Sequence, residues 1–98
     1  MSTADDLLSY IEHNHWEPAS LSDDRYLLEI NPVHGRIEAG FMLWRRLSNG
    51  EVMPVASGHA SKGHFWGAEN QPLDLGDEVL DVIAGLLKGD GDRSRRGP

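Results

Sequence analysis

The stretch from Arg36 to Ser57 limits the fold more than any other part of the chain. It joins a strand-forming run, Arg36 to Leu47, to a second apolar run, Val52 to Ala56, through Asn49-Gly50. Asn-Gly is the pair best suited to the two positive φ angles of a type I′ turn, so the stretch reads as a β-hairpin. With Asn49 and Gly50 as the two loop residues, Leu47 lies opposite Val52, Arg46 opposite Met53, Trp44 opposite Val55 and Leu43 opposite Ala56. Alternation then sends Ile37, Ala39, Phe41, Leu43 and Leu47 to one face with Val52, Pro54 and Ala56, leaving Arg45 as a misfit at its rim. Glu38, Gly40, Met42, Trp44, Arg46, Met53 and Val55 share the other. The first set suits a core. The second mixes Met, Trp and Val with Arg and Glu, as partner-binding surfaces do. Pro54 has no N–H for a ladder, so its strand is expected at an edge, or with its outer side free at that point.

The remaining elements are placed around this hairpin. Thr3, with Asp6 three residues on, is the expected N-cap of a first helix, whose apolar stripe runs through Ala4, Leu7, Leu8, Ile11 and His15. Glu17 to Asp24 is polar and reads as a loop. Arg25 to Ile30 reads as a strand with Tyr26, Leu28 and Ile30 on one side, and Asn31 to Gly35 turns it back so that Ile30 meets Ile37, Leu28 meets Ala39 and Tyr26 meets Phe41. His64-Phe65-Trp66 can add a short fourth strand. Asp74 is the expected N-cap of a second helix with the stripe Val79, Val82, Ile83, Leu86 and Leu87, closed at Gly89. The expected fold class is α+β: a three- or four-stranded antiparallel sheet with two helices packed on one face, in the order α-β-β-β-(β)-α. Residues 1–89 are expected to form one small domain, and residues 90–98, which have no apolar side chain, a disordered polar tail.

Ninety-eight residues support one modest core. The chain has no cysteine, which removes disulfides and thiolate metal sites and fits a reducing compartment. The start, Met1 to Asp6, is acidic where a secretory signal is basic, and no apolar run approaches the roughly 20 residues of a membrane span. A cytoplasmic protein without membrane contact is expected. The formal charge of −7 is uneven: seven acids face one base in residues 1–31 and five face one in 69–89, while 32–68 has two acids and four bases. Acidic flanks disfavour direct nucleic-acid binding and favour a basic partner, although acidic helices also serve simply to keep a small protein dispersed.

Catalytic and ligand motifs are weak. The five histidines, His13, His15, His34, His59 and His64, lack the spacing of a metal site, and scattered surface histidines are the plainer reading. Lys62 precedes Gly63 in the reverse of a phosphate-loop order, and Ser57 and Ser61 beside His59 form no nucleophile elbow. No catalysis and no cofactor are therefore expected. The leading expectation is a small acidic protein-binding module, acting on another protein or on itself as a homodimer, through Met42, Trp44, Arg46, Met53 and Val55. A covered face forming ordinary core is the bland alternative. A second alternative is an inhibitor whose Asp5, Asp6, Glu12, Asp77, Glu78 and Asp81 imitate phosphates in the basic groove of a nucleic-acid-processing enzyme. A third is a metal or small-ligand site around His59 and His64.

Overall fold

A computed structural model of the chain describes residues 2–33, 35 and 37–96, without the side chains of 90–96. Helix α1 (Thr3–His13) opens one residue earlier than expected: the Ser2 hydroxyl, not that of Thr3, accepts the Asp5 N–H at 3.1 Å, and Asp5 and Asp6 occupy the first turn. Ala4, Leu7 and Ile11 are buried along one side, as their spacing requires. The chain leaves α1 through Asn14, with His15 and Trp16 both left-handed (φ 61° and 56°), and the Trp16 N–H returns to the Ile11 carbonyl at 2.9 Å. This reversal turns Trp16 back against the core and leaves His15 exposed beyond the helix.

Five strands follow among the described residues, β1 (Ala19–Ser22), β2 (Tyr26–Pro32), β3 (Ala39–Arg46), β4 (Val52–Ser61) and β5 (His64–Trp66), each antiparallel to its neighbour in the order β1-β2-β3-β4-β5. The sheet thus exceeds the expected three or four strands. The unforeseen one is β1, which lies inside the stretch read as loop. It has a single large apolar residue, Leu21, and its return turn is made by Asp23, whose Oδ1 accepts the N–H groups of Arg25 (2.8 Å) and Tyr26 (2.7 Å).

The β2–β3 register differs from expectation by four residues: Ile30 lies opposite Phe41, Leu28 opposite Leu43 and Tyr26 opposite Arg45. An even displacement preserves which face each side chain takes, so Leu28, Ile30, Ala39, Phe41 and Leu43 are all buried together. It also shortens β3 at its start. Ile37, expected in the core, is outside the strand and 75% exposed.

The turn between β3 and β4 is not type I′. Gly50 alone has positive φ (88°), the Gly50 N–H bonds to the Leu47 carbonyl at 3.0 Å, and the Leu47 N–H bonds to Glu51 O at 2.8 Å. This is a three-residue loop, Ser48-Asn49-Gly50, with glycine in the left-handed position, and Asn49 Oδ1 accepts the Glu51 N–H at 2.9 Å. Pairing therefore starts with Arg46 opposite Val52, Arg45 opposite Met53 and Trp44 opposite Pro54; a bulge then takes up Val55, and Leu43 meets Ala56 as expected. Leu47 flanks the loop and is exposed rather than in the core. The two-residue turn with both φ angles positive is instead Lys62-Gly63 (52° and 77°), between β4 and β5.

Helix α2 (Asp77–Arg96) starts three residues after Asp74. Gly76 takes a φ of 81°, and its N–H bonds to Asp74 Oδ1 at 3.0 Å, so Asp74 shapes the approach rather than capping the helix. Ile83, Leu86 and Leu87 are buried, with Val79, Leu80 and Val82 packed beside them. The helix continues through Gly89, whose φ is not in the left-handed range. Of residues 90–98, expected as a disordered tail, the backbone of 90–96 continues α2, while 97 and 98 lie outside the described residues. Both helices meet one face of the sheet in a single core that includes Leu7, Ile11, Leu28, Ile30, Phe41, Leu43, Phe65 and Ile83. No described helix is long and apolar enough to cross a membrane.

Candidate functional site

Because the helices and the core occupy one side of the sheet, residues of opposite parity form a second face. Leu27 and Trp44 are cross-strand partners on it, as are Glu29 and Met42, and the line Asn31, Gly40, His59 and Trp66 crosses four strands. Leu27, Met42 and Trp44 are only half-buried and take no part in the core packing. The Trp44 indole N–H donates to Glu29 Oε1 at 2.7 Å, which leaves its ring as apolar surface while satisfying its polar atom.

The bulge redistributes the expected binding residues. Met42, Trp44 and Arg46 do share the helix-free face, and Val52 and Pro54 join them there through their pairing with Arg46 and Trp44. Val52 and Pro54 had been assigned to the core face; the three-residue loop shifts the hairpin end by one and exchanges them with Met53. Met53 lies opposite Arg45, on the helix side, and with Val55 and the rim residue Pro54, which touches both faces, lines a cleft of about 370 Å³ between the sheet end and Glu78, Val79 and Val82 of α2. Arg46 is held near β2, its Nε donating to the Asp23 carbonyl at 3.2 Å.

The histidine-rich end lies on the same helix-free face. His64 packs edge-on against Trp66 at 6.0 Å, and the Trp66 indole N–H donates to the Ser61 carbonyl at 2.9 Å. His59, directly opposite Trp66, has its Nε2 4.0 Å from Glu38 Oε2. Among the described residues no group of three or more His, Cys, Asp or Glu side chains is placed to hold a metal ion. Of the acidic set, Glu12, Asp77, Glu78 and Asp81 are exposed, whereas Asp5 and Asp6 are half-buried at the α1 N-terminus, with Asp5 beside the Lys62-Gly63 turn.

Compared with protein families, with curated proteins and with solved structures, the chain matches none.

Proposed function

We propose that this chain is a non-catalytic protein-binding module whose contact surface is the helix-free face of its sheet, centred on Trp44. The observation that carries this reading is the apolar strip Leu27, Met42 and Trp44, half-exposed and outside the core packing, continued by Val52 and Pro54. Tryptophan and methionine beside an arginine form the residue set enriched in interface centres. Trp44→Asp is expected to weaken self-association, or capture of a partner from the native host, by roughly tenfold or more while leaving far-UV circular dichroism native. Met53→Asp changes the same hairpin on its other face and is expected to leave binding intact. Equal losses from both variants, or unfolding of Trp44→Asp, refutes the assignment.

The exposure of Glu12, Asp77, Glu78 and Asp81 supports a second reading, an acidic inhibitor that occupies a basic groove. Salt separates the two: a charge-driven contact weakens steeply as ionic strength rises, and an apolar one does not.

A further inference from the structure

Among the described residues the sheet has three edge segments, and two of them carry features that obstruct pairing. On β4, Pro54 has no N–H to offer and Val55 forms the bulge. Along β5, residues 71–73 close the edge: Trp66 bridges Pro72, and the Leu73 N–H donates to the Phe65 carbonyl at 3.1 Å. The edge of β1 differs, because Ala19 to Ser22 contains no proline, lysine or bulge.

The phase of the ladder identifies the free groups on β1. The Asp23 N–H bonds to Tyr26 O at 3.0 Å and the Arg46 N–H to Arg25 O at 2.7 Å, so Leu21 pairs with Leu28 by direct exchange of hydrogen bonds. Ser20 and Ser22 consequently turn their N–H and C=O groups outward. Immediately beside them, between β1 and α2, is a cavity of about 150 Å³ lined by Leu21, Asp23, Gly85, Leu86 and Gly89. A Cβ built on Gly85 or Gly89 would meet nothing within 4 Å.

We infer that the β1 edge and this cavity form a strand-addition site for an extended basic segment of a partner protein, one apolar side chain of which fills the space over Gly85. Backbone pairing with Ser20 and Ser22 supplies affinity, and the cavity selects the residue one step along. Asp23, the one charged side chain lining the cavity among the described residues, and the chain's net charge of −7 favour lysine or arginine on either side of that residue and oppose a second copy of the chain. This surface adjoins the helix-free face at Asp23, whose carbonyl accepts from Arg46 Nε.

The test is an amide NMR titration of the whole chain with the blocked peptides Lys-Thr-Leu-Thr-Lys, Lys-Thr-Gly-Thr-Lys and Glu-Thr-Leu-Thr-Glu. The first is expected to shift Ser20, Leu21, Ser22 and the amides around Gly85, and the other two to bind roughly tenfold or more weakly. Gly85→Leu fills the cavity with a better helix former, and Ser20→Pro removes an outward N–H; each is expected to abolish the shifts while the remaining spectrum stays native. No shift at β1 at millimolar peptide overturns the inference. So does equal binding of all three peptides, or a dimer in light scattering that Ser20→Pro dissolves, since the last result gives the edge to a second copy.

Discussion

Trp44 on β3 reaches diagonally to Glu29 on β2, its indole N–H 2.7 Å from the carboxylate. The bond crosses the centre of the helix-free face and fixes the ring that the proposed contact depends on. Glu29→Gln keeps an acceptor and is expected to preserve both stability and the Trp44 environment. Glu29→Ala removes the acceptor at a partly exposed site, for an expected loss of about 1 kcal/mol. Urea denaturation and tryptophan emission check both; an unchanged emission spectrum in Glu29→Ala would show that the bond does not hold the ring.

Among the described glycines, Gly58 leaves the least room for a side chain. An added Cβ would lie 2.5 Å from the Trp66 carbonyl and 2.8 Å from Leu73 Cδ2. Gly58→Ala is therefore expected to cost about 1–3 kcal/mol as overpacking, which for a domain of this size lowers the melting temperature by roughly 4–8 °C per kcal/mol. Thermal unfolding followed by circular dichroism measures it.

Two of the hairpin turns, β4–β5 and β3–β4, predict opposite responses to similar changes. At Lys62, φ is 52°, a conformation asparagine tolerates better than lysine, so Lys62→Asn is expected to raise stability by a few tenths of a kcal/mol. Asn49 has no positive φ, and its side chain accepts from Glu51 N–H. Asn49→Gly, which a type I′ turn would accept readily, is instead expected to cost about 1 kcal/mol, whereas Asn49→Asp keeps the acceptor and stays within about 0.5 kcal/mol. Denaturant midpoints of the three variants distinguish the turn types.

Ile37 and Leu43 have the same parity in the sequence pattern but different surroundings, the first 75% exposed and the second fully buried. Ile37→Asp is expected to change stability by no more than about 0.5 kcal/mol, while Leu43→Ala removes buried volume and costs about 2–5 kcal/mol. Urea midpoints of the pair decide whether the chain is in the described register.

These contrasts show what could be read from residues alone. Alternation in Tyr26–Ile30 and Ala39–Leu43 identified the inward set, because a register displacement of four keeps parity. It could not locate the partners, since several pairings satisfy the same pattern. The helical stripes of Leu7 and Ile11, and of Ile83, Leu86 and Leu87, were equally legible because only one side of each helix is apolar. Strand β1 was obscured by its serines and by a turn made from Asp23's side chain, features that locally resemble any polar loop. The candidate contact face was recognised through Met42, Trp44 and Arg46, but its membership at the hairpin end depended on one extra loop residue. That residue replaced Met53 and Val55 with Val52 and Pro54.

The bulge at Val55 gives β4 one residue more than its pairing with β3 requires. The loop fixes the count at one end and the buried Leu43 fixes it at the other, so Val55 is slack between two independently anchored rulers. Removing it would let Pro54 and Ala56 follow each other in unbroken alternation, each still facing its present side. A chain shortened at that point would close the same hairpin.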